Sequence, residues 1–489
     1  MPNRSLPLAP AALAVGLAAG LAACASDAPT AVPSPAAASA LRAAATPARS
    51  YFVDPAVGRD GNAGTQASPL KSLARALFLA TAGDTVRLAK GNYSSTGSTA
   101  SGDVFPLHVR SRVTVLGTVQ PDGSATGTVL RPASSDAQTP GLVLDGDATL
   151  QDLDLTQFGT AVSAREGRQT LRHVRLVHNV TALSLTGSAE AALLNSLAAV
   201  GVGGTAVRAT NQAQVTLRGD TLSGLFADCA TGEGVVDLGE ASRATVDGLV
   251  VDQVPGPALR LRDGAAATAH DLTAKRVTAG SCAGSPGAHV VASDSASLTM
   301  SGSHLSAAGG ANARGVEWGS RGALALSFSR LAGFTGAAVN VAAAGVVTVN
   351  GVIVDSVGTG VRVVNHPDAT VRVDNSTFVR SGTGIRAAVF RVRNTQFLGN
   401  VTGVLIRGSG ADLGKLAEPG NNTFVNNANT GLTFENVLGV TLTAAGNTWN
   451  PLVQGADASG RYQHKVLSPT SADAQGPNFR LVKGTRLSL

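Results

Sequence analysis

Six charged residues each follow an aliphatic one and recur along the middle of the chain: Arg208 after Val207, Asp237 after Val236, Arg260 after Leu259, Glu317 after Val316, Arg362 after Val361 and Arg386 after Ile385. Arginine offers a planar fork that pairs with carboxylates or sulfates through two hydrogen bonds. Asp and Glu accept hydrogen bonds from hydroxyls. If the aliphatic residues share one inward column, the six charged residues share one outward column, a row suited to binding an extended acidic polysaccharide. Small residues two positions earlier, such as Ala206, Ala258, Gly315, Gly360 and Gly384, are expected to form a flat floor beside that row. The alternating signs of Arg208, Asp237 and Arg260 also describe a structural ladder of neighbouring ion pairs, each contributing about 0–1 kcal/mol when exposed. Both readings stand on the sequence.

Other chemistry is sparse. His173 and His178 sit beside Arg172 and Arg175 as in a solvated turn, and no His-x-x-x-His, Cys-x-x-Cys or phosphate loop occurs, so no metal is expected. Asp152 and Asp154 come closest to an acidic pair, but Asp152 falls in a turn. Cys229 and Cys282 lie in the insertions FADCATGEG and AGSCAGSPG at one corner of the repeat. They are two repeats apart, roughly 10 Å if the repeats stack as strands. The expectation is a disulfide, with two free thiols as the alternative.

The elements that must carry these residues follow from composition and period. Charged residues are 14% of the 489, well below the roughly 25% of ordinary globular proteins, and 58 residues are Gly. Hydrophobic residues at 44% exclude wholesale disorder. After the N-terminus no apolar run of about 18 residues occurs, so no transmembrane helix is expected there. The net charge of +6 is spread over singly placed basic residues, so no nucleic acid is expected as a partner.

From about residue 141 a short stretch carrying an aliphatic residue recurs about every 19 to 31 residues, from Val162, Leu183, Val207 and Val236 to Val404 and Leu432. Each is followed by a strand of period 2 and a turn with Asn, Gly or Asp. This pattern predicts an all-β, single-stranded parallel β-helix, each repeat one coil of a stack that buries an aliphatic column. A second column, from Asp152, His173, Asn195 and Gly219 through Asn375, Asn394 and Asn421 to Asn447, holds residues that tolerate left-handed backbone, and Phe328 interrupts it.

The two ends of the chain carry resemblances. Leu21-Ala22-Ala23-Cys24, after Arg4 and an apolar stretch, resembles the lipobox of bacterial lipoproteins, which implies acylation of Cys24 and anchoring at the outer membrane or cell surface, with an ordinary secretory signal cleaved after an Ala-x-Ala site as the alternative. Residues 25–50, rich in Ala, Pro and Ser, read as a disordered tether. Residues 51–93 resemble the opening module of bacterial right-handed parallel β-helix proteins, a family of unknown function with a pectate-lyase-like fold. The matching residues are Val53-Asp54, Gly61-Asn62, Gly64-Thr65, Ser68-Pro69, Gly83-Asp84-Thr85-Val86 and Gly91-Asn92-Tyr93, with a short capping helix over about 73–81. PGNNTF at 419–424 and GNTWN at 446–450 are similar to late coils of that family.

The resemblance implies five segments: a signal peptide and lipobox over 1–24, the tether over 25–50, a cap and first coils over 51–140, the β-helix over 141–450 and a C-terminal cap or tail over 451–489. Polygalacturonases of this fold carry Asn-Thr-Asp and Gly-His-Gly motifs that are absent here. Pectate lyases hold calcium on clustered carboxylates beside an Arg or Lys base, and no such cluster is visible. The expected function is therefore polysaccharide binding by an exported, monomeric, lipid-anchored rod without a cofactor. A polysaccharide lyase or hydrolase, with calcium if a lyase, is the alternative. A structural or adhesive rod is the third reading.

Overall fold

Short alternating stretches separated by obligatory turn residues leave each segment room for only three to five strand residues, and three such strands make one coil. One coil runs through Gln214–Arg218, Thr221–Ser223 and Val236–Leu238, and the next through Arg243–Asp247, Val250–Asp252 and Leu259–Leu261. Each strand pairs in parallel with its equivalent one coil on. Three parallel sheets result, here called faces B, C and A in chain order. The computed structural model is a right-handed parallel β-helix. It describes residues 47–96, 100–118, 127–134, 138–223, 234–254, 256–277, 287–307, 314–364, 366, 368–435, 437, 441–450, 466–467, 479–481 and 486–488.

The aliphatic column of face A holds without a slip. Val162 pairs in register with Leu183, then Val207, Val236, Leu259, Val290, Val316, Val339, Val361, Ile385, Val404 and Leu432. All are buried, and burying one aliphatic side chain contributes about 1.5–3 kcal/mol. The column extends beyond the foreseen repeats, to Leu142 and Leu107 at one end and Phe479 at the other.

The expected helix forms as α1, Leu73–Leu79, two residues shorter than its sequence span because Ala80 is already extended. Ser72 caps it by accepting from the Arg75 N–H, and the Asp103 carboxylate accepts from the Leu73 and Ala74 N–H groups. Its Leu73, Ala76 and Leu77 side chains are buried beside the first coils.

Between faces B and C the chain turns through one left-handed residue per coil, as expected for Asp152, His173, Asn195, Asn375, Asn394 and Asn421. Two details differ. Phe328 does not break the column, since it adopts φ +48° itself. At the last coil the left-handed residue is Gly446 at φ +75°, and Asn447 points inward to accept from the Asn422 N–H at 2.9 Å. Asn447 belongs to an interior ladder in which Thr395 N–H donates to Asn422 and, elsewhere, Ser303 N–H to Ser329 and Val352 N–H to Ser376. Asp220 occupies the same ladder, 1% exposed, accepting from the Ser196 and Arg218 N–H groups.

The glycines expected to floor the outer face point inward instead. Gly360, Gly384 and Gly403 are buried, and a Cβ at Gly384 would stand 2.6 Å from Phe397 Cδ1. They leave room for an interior stack in which Phe378, Phe397, Phe424 and Trp449 lie nearly parallel with centroids 5.3, 4.8 and 4.2 Å apart. His289 fills the equivalent space in its own coil, edge-on to Phe334, and burial pushes its pKa down to about 4.

Two outcomes follow from this interior. Gly384→Ala crowds the stack and should cost about 1–3 kcal/mol in denaturant unfolding. Burial pushes Asp220 up to about 6 in the folded state, above its unfolded value, so its contribution grows as pH falls through that value. Relative to Asp220→Asn, the wild type should gain about 1 kcal/mol between pH 7 and pH 5, read as the difference between their unfolding free energies.

Candidate functional site

The strand register carries all six sequence-selected residues into one outward column of face A. Arg208 pairs with Asp237 and Asp237 with Arg260, while Glu317, Asn340, Arg362 and Arg386 follow one another on successive coils. In the N-terminal part of the row, Asp237 is only 1% exposed and meets Arg262 Nε at 3.4 Å. Arg208 and Arg260 also have polar or electrostatic partners. That part has the character of a structural ladder, and Asp237 is too buried to offer its carboxylate to a hydroxyl at the surface.

The part from Arg314 to Glu435 is different. Arg314 Nη1 donates to Glu317 at 2.6 Å, and Asn340 Nδ2 donates to both Glu317 oxygens at 2.9 and 3.0 Å. Arg386 reaches across the intervening Leu405 coil to Glu435 at 3.1 Å, and Arg407 Nε meets the same carboxylate at 3.3 Å. Arg362 lies between these two groups and has no ion pair among the described residues. Arg314, Arg362, Arg386 and Arg407 outnumber Glu317 and Glu435, so the segment is net positive. Arg314, Arg407 and Glu435 were not singled out in the sequence; they sit at the first position of the strand or beyond its fourth, outside the position that follows the aliphatic column.

The structure also assembles charges that the sequence left dispersed. Asp374, Asp412 and Glu418 gather with Arg391 and Arg393 on adjacent coils where faces B and C meet. Hydrogen bonding to Glu418 raises the Arg391 pKa, and the same bond lowers that of Glu418. Arg391 is therefore held protonated, the wrong state for a base in β-elimination. Asp247, His270 and Asp271 place ligand-type atoms within 4.8 Å of one another on an exposed corner, with Arg218 Nε 3.4 Å from Asp247. These are residues of types that bind metals, drawn from neighbouring coils and invisible to linear spacing. Asp152 and Asp154 do not act as an acidic pair: the first meets His173 at 3.3 Å and the second Arg175 at 3.1 Å. Cys24, Cys229 and Cys282 lie outside the described residues.

Residues 56–250 and 329–453 match the family described as a protein of unknown function, DUF1565. No curated protein matches the sequence. Among solved structures, the chain is similar to a pectate lyase at 15% identity, over 74% of this chain and 78% of that one, with a TM-score of 0.30. It is also similar to the catalytic domain of an α-1,3-glucanase, at 12% identity, 72% and 66% coverage and a TM-score of 0.36. A mannuronic acid specific polysaccharide lyase from human gut microbiota matches at 11% identity, 79% and 87% coverage and a TM-score of 0.28.

Proposed function

The chain belongs to the DUF1565 family of proteins of unknown function, and from that premise we propose that it binds an acidic polysaccharide along face A. The observation that carries this reading is Arg362, a guanidinium without an ion pair among the described residues, placed one coil from Asn340 and one from Arg386. Its neighbours are held by Glu317 and Glu435, so those side chains lose little further entropy on binding. A fork set in a net positive row suits a uronate carboxylate or a sulfate. One coil advances by roughly 4.8 Å, close to the length of one sugar residue in an extended chain. Strand pairing thus sets polar groups at the repeat of the ligand.

A lyase would draw on the Asp374–Arg391–Arg393–Asp412–Glu418 cluster, where calcium would have to compete with two arginines for the carboxylates. Binding without turnover is therefore the reading preferred here. The same proposal places the protein outside the cytoplasm, held at the outer membrane or cell surface by acyl chains on Cys24.

Residues 51–489 should bind uronate-containing or sulfated oligosaccharides on a glycan array, with and without calcium, and yield no unsaturated product by ultraviolet absorbance. Arg362→Ala should weaken binding at least about tenfold, as expected for a charge-assisted hydrogen-bonded pair. Unchanged affinity in that variant contradicts the site, and growth of unsaturated product contradicts the absence of catalysis. Cells expressing the full chain should incorporate labelled palmitate into it, and Cys24→Ser should abolish the label; label retained in the variant excludes the anchor.

A further inference from the structure

The corner between faces B and C, opposite face A, has chemistry of its own. Its left-handed column reads Gly302, Phe328, Gly351, Asn375, Asn394 and Asn421 on successive coils. Five of these are residues for which such a turn is ordinary. Phe328 is not: a bulky side chain at φ +48° is strained, and the residue is 72% exposed. An exposed ring on a strained turn loses on both counts, and the fold offers no compensation through burial. The ring extends over the next coil, where a Cβ on Gly351 would meet its Cδ1 and Cε1 at 2.9 and 3.1 Å. Glycine is what lets the ring lie there.

A cavity of about 540 Å³ elsewhere on the rod is lined by Asp294, Arg321 and His366, among others. One coil on from Phe328, the corner opens into a cavity of about 500 Å³ lined by Asn350, Asn375, Asn394, Asn421, Arg391 and Glu418, among others. The Phe328 ring stands next to this lining rather than in it, since the Gly351 it lies over directly follows Asn350. Asn375 Nδ2 donates to Asn350 Oδ1 at 2.8 Å, which orients the amides along the rod. Arg391 is matched by Asp374 and Glu418, and the buried Arg393 by Asp412. The lining therefore offers oriented amides and compensated charges rather than an excess of either sign.

We propose that this corner, from Phe328 to Asn421, is a binding site for a neutral oligosaccharide. A sugar ring presents an apolar C–H face, which stacks on an aromatic ring, and a rim of hydroxyls that both donate and accept. Side-chain amides answer hydroxyls in both senses, and a pocket combining an apolar wall with a few placed polar groups is the usual form of a small-ligand site. The ligand differs in charge, and the site in position, from the acidic polymer of face A, so either can fail without the other.

The test uses the full chain against a panel of neutral gluco-, xylo-, manno- and galacto-oligosaccharides, with affinities by calorimetry and stability by thermal unfolding. Phe328→Asn restores the residue type that the neighbouring coils use at this turn. It should raise the unfolding temperature while weakening neutral oligosaccharide binding at least about tenfold. Asn394→Ala should weaken the same binding, and Arg362→Ala should leave it unchanged. No binding of any neutral oligosaccharide by the wild type overturns the proposal, as does binding that survives both Phe328→Asn and Asn394→Ala. A fall in unfolding temperature for Phe328→Asn would mark the ring as structural and overturn it equally.

Discussion

Parallel strand pairing between successive coils is the constraint on which the rest of this molecule depends. Within the stack a strand is held by its equivalents above and below, so a residue inserted within it would turn its side chains to the opposite face. Length variation is therefore confined to the connections, and each coil must turn at the same places. In two strand pairs a strand runs on round a corner and the register shifts, between Val177 and Asn179 and again between Asn179 and Thr181 in one, and between Ala387 and Val389 in the other. Elsewhere the pairing carries one column into the next. The interior columns, the turn columns and the outward rows are three consequences of the same hydrogen bonds.

The interior is filled one coil at a time under that constraint. Where a coil carries Phe378, Phe397 or Phe424, the face A position beside it is Gly360, Gly384 or Gly403, with no side chain to compete for space. Where the turn leaves a backbone N–H facing inward, the next coil supplies a Ser, Thr, Asn or Asp oxygen to accept from it. Aromatic stack and polar ladder are complementary ways of satisfying a column that cannot shift.

The same physics decides what was legible in the sequence. The aliphatic column could be read throughout because its residue type is dictated by burial. The turn column could be read because left-handed backbone selects Gly, Asn and Asp. The inward direction of Gly360 and Gly384 could not, since Thr359–Val363 shows two consecutive buried residues, Gly360 and Val361, where a strict alternation predicts one; the bend at the corner breaks the period. Asn447 was misplaced because asparagine serves both the turn and the interior ladder, one residue apart. A further left-handed position after face C, at Gln157, Arg276 and Arg380, escaped notice because none of these types signals such a turn. The Arg386–Glu435 pair spans two coils and 49 positions, beyond the reach of any local pattern. Phe328 gave a signal, as a break in its column, whose meaning needed the backbone angle.

If coil pairing is what sets polar groups along face A at the spacing of a sugar chain, affinity must depend on ligand length in coil steps. The most direct measurement is the dissociation constant of size-fractionated acidic oligosaccharides, from two residues upward, against residues 51–489. Affinity should rise with each added sugar until the chain spans the coils from Glu317 to Arg386, and then level off. An affinity independent of length would contradict binding along the stacked coils.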